Sequence, residues 1–263
     1  MANDSVLVEI PGATAWITLN RPEQLNAMSP ELSEGLAAAF AGVEARADVR
    51  AVVITGSGRA FSAGGDLKSF KTRVLSGQHK EFIASLHEMM RAFRSIERSR
   101  LPVIAAVNGF AVAGGLELLL CCDFVIASET AQIGDGHLKF GVIPGAGSSV
   151  RLPRKVPENV ARMLLMTGEL FPAMRFKEWG LVHEVVPAEQ LRDAAAALAE
   201  RLCKLSPLGL ARVKSLITDG LEHSLDDALM HEIDVFKDYM TSADFLEGLT
   251  AFEEKREPRF IGR

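Results

Sequence analysis

Two segments of this sequence hold residues whose types and spacing suit chemistry. One reads Arg59-Ala60-Phe61-Ser62-Ala63-Gly64-Gly65-Asp66-Leu67-Lys68. The other reads Asn108-Gly109-Phe110-Ala111-Val112-Ala113-Gly114-Gly115-Leu116-Glu117. Glycine pairs in such places let the backbone turn sharply and let a ligand approach the main chain closely. The second pair also opens a helical run, Leu116 to Leu120. The first N–H groups of a helix have no internal acceptor, and the helix dipole favours negative charge there. A developing oxyanion is such a charge. Glu117 follows Gly114 by three residues, so it lies on the same face of the first turn. A proton acceptor beside a bound carbonyl suits α-proton removal, or water addition to an α,β-unsaturated thioester. A purely structural reading stands beside this one: glycine pairs after strands are common, and a first-turn glutamate complements the dipole.

The elements that must position these residues are legible from periodicity. Residues 14–19 alternate as a strand, and Pro22 stops it. Ser29-Pro30 gives an N-cap followed by proline at the first helical position, and Leu32, Leu36, Ala39, Phe40 and Val43 recur at helical spacing over 30–45. Residues 51–55 and 103–107 are continuous apolar runs that predict buried strands, ended by Gly56-Ser57-Gly58 and by Asn108-Gly109. A helix fits 79–97, and Phe124 to Ala127 fits another strand. This alternation predicts an α/β fold with parallel pairing. After about residue 187 the strand pattern stops, and 188–204, 207–220, 224–241 and 244–255 all read as helices, with caps such as Ser206-Pro207 and Ser224.

Composition narrows the function class. The chain of 263 residues carries a formal net charge of −5, which leaves no basic footprint for nucleic acid. The N-terminal Met1-Ala2-Asn3-Asp4-Ser5 has no basic and then apolar stretch, so no secretory signal is read, and no apolar run is long enough to span a membrane. Cys121, Cys122 and Cys203 form no disulfide framework and read as small core residues of a protein in a reducing cytoplasm.

Several of these segments together resemble the enoyl-CoA hydratase/isomerase (crotonase) superfamily. The residues that carry the resemblance are Asn20-Arg21-Pro22 with Leu25-Asn26-Ala27, Ala60 to Lys68, Ala106-Val107-Asn108-Gly109, Gly114-Gly115-Leu116-Glu117-Leu118 with Cys122-Asp123, Gly141-Val142-Ile143-Pro144-Gly145-Ala146-Gly147, and the tail Gly248 to Arg256. The resemblance implies an α/β fold: a crotonase-type spiral of ββα units with a C-terminal helical trimerisation region. On this reading residues 1–195 form the acyl-CoA-binding core and 196–263 the helical oligomerisation region of a homotrimer or dimer of trimers. The implied partner is an acyl-CoA thioester; coenzyme A arrives as part of the substrate, and no tightly bound cofactor or metal is expected. Gly65 and Gly114 are implied to supply two oxyanion N–H groups, and Glu117 the base. Ala27, Ala63, Gly65, Asp66, Leu67 and Lys68 are implied along the CoA channel. Phe252 and Lys255 are implied to help cover CoA, often from a neighbouring subunit, with Lys68 and Lys255 facing its phosphates.

The sequence departs from a typical hydratase at one position. The second glutamate of the family's pair falls in Gln132-Ile133-Gly134-Asp135-Gly136-His137, and the matching residue is His137. A glutamate–histidine pair still serves as base and acid, because free histidine titrates near neutrality. Three readings stay open here: hydration of a 2-enoyl-CoA with His137 as acid or water holder; other enolate chemistry, isomerisation or C–C cleavage, as in the superfamily's β-diketone hydrolases; or a weakly active acyl-CoA binder in which His137 only packs. Those hydrolases pair the histidine with an aspartate nine residues later, and here that position is Ala146. Asp135 either orients His137 or is an ordinary loop aspartate.

Other chemistries lack their motifs. No Gly-x-Ser-x-Gly elbow and no phosphate loop occur, His87-Glu88-Met89-Met90-Arg91 has arginine where a zinc helix needs its second histidine, and Gly145-Ala146-Gly147-Ser148-Ser149-Val150 lacks the last glycine of a dinucleotide fingerprint. The segment between Lys68 and Glu81 is expected to shape the acyl end of the pocket, without a motif to say how.

Overall fold

A computed structural model describes residues 4–263; Met1–Asn3, part of the N-terminal stretch read above, lie outside the described residues. The chain opens with strands β1 (Val6–Glu9) and β2 (Thr14–Leu19) and helix α1 (Pro30–Glu44). Three strand pairs follow, each with helices or a loop behind it. They are β3 (Ala51–Gly56) and β4 (Ala60–Ser62) with α2 (Leu67–Leu75) and α3 (His79–Glu97); β5 (Val103–Val107) and β6 (Phe110–Val112) with α4 (Gly114–Leu119); and β7 (Phe124–Ser128) and β8 (Gln132–Gly134), which lead into a short 3-10 turn at His137–Phe140. Helices α5 (Ser148–Arg151) and α6 (Glu158–Thr167), strand β9 (Leu170–Pro172), helix α7 (Ala173–Glu178) and strand β10 (Glu184–Val186) complete this part. Helices α8 (Leu191–Cys203), α9 (Pro207–Gly220), α10 (Leu225–Tyr239) and α11 (Ala243–Glu254) end the chain.

Each strand pair gives its first member to one sheet and its second to another. The larger sheet has the order β1-β2-β3-β5-β7-β10, and the smaller one β4-β6-β8-β9. Within them β2-β3, β3-β5, β5-β7, β7-β10, β4-β6 and β6-β8 run parallel, while β1-β2 and β8-β9 run antiparallel. This is the expected spiral of ββα units. Its consequence for function is geometric. Because β4, β6 and β8 are parallel neighbours, the loops leaving their carboxyl ends lie side by side. Those loops carry Gly65, Gly114 and His137, which are far apart in sequence. Open α/β sheets place ligand sites at such strand ends.

The apolar runs of β3, β5 and β7 are continuous because both faces of the larger sheet are covered. Val52, Ile54, Val103, Ala105, Val107 and Val125 point into the main core. Ala51, Val53, Ile104, Ala106 and Ile126 face the other way, onto Leu191, Ala195, Ala199 and Leu202 of α8. Helix α8 therefore belongs to the layered core, and the division expected at 195/196 falls inside it. The change of character in packing comes after Cys203: α9 and α10 contain no buried residue. The expected caps form, with Ser29, Ser206 and Ser224 side chains accepting from the N–H groups of Leu32, Gly209 and Asp227. Helix α2 was not anticipated as a helix. Its nine residues bury none of their number, so the apolar periodicity that marks longer helices is absent. Cys121 and Cys122 are core residues as expected, and Cys203 is only half-buried.

Candidate functional site

The motifs at the two ends of the β4 loop fix its path. Asn26 is fully buried and its side chain satisfies three backbone groups: Nδ2 donates to the carbonyls of Ser57 (3.0 Å) and Ala60 (2.7 Å), and Oδ1 accepts from Arg21 N–H (2.7 Å). Ser62 Oγ donates to the Asn26 carbonyl (2.8 Å), Ala63 N–H to the Leu25 carbonyl (2.9 Å), and Met28 N–H to the Gly64 carbonyl (2.7 Å). Gly64 adopts φ +93°, and a Cβ there would lie 2.7 Å from Ala113 Cβ and 3.2 Å from Gly114 N. The glycine is required both by backbone conformation and by the contact between the two loops. Ala113 itself has φ +50°, a strained value for a residue with a side chain, directly before α4.

Gly65 and Gly114 line one cavity of about 370 Å³ together with Glu117 and His137. Gly114 is the first residue of α4, so its N–H has no acceptor within the helix. Glu117 is 1% exposed. Its Oε1 accepts from the backbone N–H groups of Ala146 (2.8 Å) and Ser148 (3.2 Å), while Oε2 has no protein partner among the described residues. One carboxylate oxygen is thus committed to holding the group in place, and the other is free for a ligand.

His137 faces the same cavity. Its Nδ1 lies 3.0 Å from both oxygens of Asp135, which is fully buried, and its N–H donates weakly to Asp135 Oδ2 at 3.4 Å. Of the two readings of Asp135, the orienting one holds. A carboxylate on Nδ1 fixes that nitrogen as the donor and leaves Nε2 for the cavity. Burial is the largest single influence on His137 and works against its charged form. The hydrogen bond and charge of Asp135, joined by the charge of Glu117, together outweigh it and hold its pKa above the ordinary histidine value. The sequence left this pair open because a two-residue spacing in a loop has no fixed geometry; the turn formed by Gly136 at φ +68° supplies it. The roles of Ala146 and Ser148 are backbone roles and leave no mark in residue type.

The rest of the cavity wall is apolar. Phe70, Phe82, Leu86 and Met89 come from α2 and α3, and Val142 and Ile143 from the loop after the 3-10 turn. The rings of Phe70 and Phe82 meet at 4.7 Å, and Phe70 lies so close to Gly65 that a Cβ there would be 2.7 Å from its ring. The segment after Lys68 therefore does shape the pocket, through Phe70. Cys121, whose Sγ donates to the Glu117 carbonyl at 3.2 Å, is no nucleophile: burial pushes its thiol up to about 12.

The implied CoA residues divide into two groups. Ala63, Gly65 and Leu67 line the cavity. Asp66 caps α2, accepting from Ser69 N–H at 3.1 Å. Ala27 is half-buried and Lys68 exposed, both beside the loop but outside the cavity lining. Phe252 and Lys255 lie on α11 and just after it, away from the cavity within this chain; Phe252 is 84% exposed.

A parallel α/β spiral brings a buried carboxylate, a carboxylate-bound histidine and two glycine loops around one apolar cavity, an arrangement able to move protons beside a bound apolar ligand. Comparison with known proteins narrows this. The model of the enoyl-CoA hydratase/isomerase family matches residues 9–263. A probable enoyl-CoA hydratase of Rhizobium meliloti is 37% identical, with all of both chains covered, and the crotonyl-CoA hydratase of Syntrophomonas wolfei is 35% identical over the same full extent. The crystal structure of an enoyl-CoA hydratase from Bacillus anthracis superposes with a TM-score of 0.92 at 35% identity, covering 98% of this chain and all of that one. The chain belongs to the enoyl-CoA hydratase/isomerase family.

Proposed function

We propose that this protein adds water reversibly to a 2-enoyl-CoA, with Glu117 and His137 as the base and acid. The observation that carries the reading is the division of labour between them. Glu117 keeps one carboxylate oxygen free, and His137 is held by Asp135 with a raised pKa, so that Nε2–H is available to donate. The thioester oxygen would lie against the N–H groups of Gly65 and Gly114. Glu117 Oε2 takes a proton from water as the hydroxyl adds to C3, the negative charge moves onto the thioester oxygen, and His137 Nε2–H delivers a proton to C2. The proton on Glu117 then returns to His137 through solvent, and the site is reset. Each oxyanion donor is worth roughly 3–4 kcal/mol of transition-state stabilisation in sites of this type.

The relatives named as hydratases support this chemistry over isomerisation or C–C cleavage. Coenzyme A enters as part of the substrate, with Ala27, Ala63, Asp66, Leu67 and Lys68 along its path. The exposed apolar side chains of α9–α11, among them Ile217, Leu225, Phe236 and Leu246, support assembly as a homotrimer or a dimer of trimers. In that assembly Phe252 and Lys255 would reach a neighbouring CoA.

The test is hydration of crotonyl-CoA and of a longer 2-enoyl-CoA, followed by loss of the enoyl-thioester absorbance. Rapid loss in the wild type and its absence in Glu117→Gln is expected. A wild type that binds the thioester without consuming it would overturn the reading and direct attention to β-diketones and β-keto thioesters.

A further inference from the structure

We infer that Arg151, which lies outside the cavity lining, is a positioning residue for Glu117, acting through the peptide plane between Ala146 and Gly147. This rests on the assignment of Glu117 as the base. Oε1 of Glu117 is held by two N–H groups, those of Ala146 and Ser148, that flank one peptide unit. For both to converge on the same oxygen, the carbonyl between them, that of Ala146, must point away. It points at Arg151, whose Nη1 donates to it at 2.8 Å.

Arg151 is itself fixed at three places. Its own backbone N–H donates to the Gly147 carbonyl at 2.8 Å. Its Nε and Nη2 donate to the two oxygens of Glu97 at 2.9 and 3.1 Å, a bidentate pair whose side chains are 13% and 19% exposed. The guanidinium covers Gly147, which adopts φ +120° and has no room for a Cβ beside it. Planar, five-donor arginine serves carboxylate and carbonyl together; a lysine ammonium in the same place lacks that fork. Without the guanidinium, the buried Ala146 carbonyl loses its partner, and glycine at 147 is the residue most able to let the peptide rotate. Rotation of that plane turns the Ala146 carbonyl dipole toward the Glu117 carboxylate and releases ψ of Ala146 and φ of Gly147, the torsions that aim the N–H groups of the two adjoining planes at one oxygen.

The ion pairs continue outward from Glu97 to Arg94 (2.8 Å), and from Arg94 and Arg98 to Glu222 beyond α9. Glu222 is 47% exposed, and pairs of that kind contribute little. The positioning effect therefore resides in Glu97, Arg151 and the 146–148 loop, and not in the surface end of the network.

Arg151→Gln, Arg151→Lys and Glu222→Gln in the full-length protein test this. Arg151→Gln is expected to lower kcat roughly 10- to 100-fold, as small misplacements of a catalytic group do, with KM for the enoyl thioester within about threefold. Arg151→Lys keeps the charge opposite Glu97 and is expected to lose less, giving a folded variant if Arg151→Gln is unstable. Glu222→Gln is expected to stay within about twofold of wild type. In a Glu117→Gln background, Arg151→Gln should cause no further loss, because both act on one group. A readout free of turnover is amide hydrogen exchange at Ala146 and Ser148, expected to be at least about tenfold faster in Arg151→Gln while the β3 amides are unchanged. Unaltered exchange there, a full additional loss in the Glu117→Gln background, or an equal loss in Glu222→Gln would each overturn the inference. A wild type without hydratase activity would overturn the proposed reaction alone, since the exchange measurement still reads the Arg151 clamp.

Discussion

Around the cavity, Glu117, Asp135, Ala146 and Ser148 are buried inside the chain that carries them, whereas α9 and α10 hold no buried residue at all. Both regions are folded from amphipathic or apolar sequence, yet they meet the cost of exposure differently. The strand-end loops hold their key groups locally, although Ser148 Oγ is buried without a partner. Asn26 ties three backbone groups, two amides hold Glu117, and Asp135 holds His137. The terminal helices leave Ile217, Leu225, Leu229, Phe236 and Leu246 in solvent. Large exposed apolar side chains gathered on terminal helices are the kind of surface that a partner covers. The loops around the cavity are thus packed within one chain, while the terminal helices keep apolar side chains exposed, the surface that the proposed assembly would cover. Substitutions in the first region should alter turnover, and substitutions in the second should alter assembly and binding.

The largest effect is expected at the centre of the first region. Glu117→Gln keeps the shape and the acceptor for Ala146 N–H but removes the base, and should lower kcat by roughly 10²- to 10⁴-fold while acyl-CoA binding survives. A variant that turns over normally would remove Glu117 from the mechanism. His137→Ala should lower the rate at least about tenfold; a normal rate would return His137 to packing. Asp135→Asn tests the electrostatics without deleting a catalytic group. The acid role needs protonated His137, so activity is present below the His137 pKa and falls as pH rises through it. With Asp135 in place that pKa is raised, which puts the alkaline limb above the ordinary histidine value. Removing the carboxylate leaves burial dominant, with Glu117 the remaining charge facing the ring, and the alkaline limb should move to lower pH. A limb that stays where it was would mean that another group is the acid.

The contrast between the regions also explains what could be read in advance. The long elements were legible because their burial is periodic or continuous: α1, α3 and the runs of β3 and β5 announce themselves by Leu32, Leu36 and Phe40, or by Val103 to Val107. The loops around Gly65 and Gly114 were legible because their neighbours Gly64 and Gly115 leave no room for a Cβ against the backbone. The support for the site was not. Ala146 and Ser148 act through N–H groups that every residue but proline possesses. Helix α2, which brings Phe70 to the cavity, lacks a buried face of its own. The seat of α8 was hidden for a related reason: it resembles the helices after it in sequence pattern, and only its packing against Val53, Ile104 and Ile126 separates it from them.

The second region offers a smaller effect, and a diagnostic one. Charged substitutions at Leu225 and Phe236 should shift the protein to smaller species in light scattering, and make its melting temperature depend on concentration. Phe252 then separates assembly from chemistry. It is 84% exposed and outside the lining of the cavity in its own chain, and in the proposed assembly a neighbouring subunit would present it to CoA. Phe252→Ala should leave kcat and subunit mass unchanged and raise KM for a full CoA thioester by about three- to tenfold, the loss of one apolar contact of roughly 1 kcal/mol. The same variant should show no change on a truncated pantetheine thioester, which lacks the nucleotide that α11 would cover. An equal rise with both thioesters would place Phe252 against the acyl or pantetheine portion instead. No change with either would mean that the terminal helices complete the fold of the assembly and take no part in holding CoA.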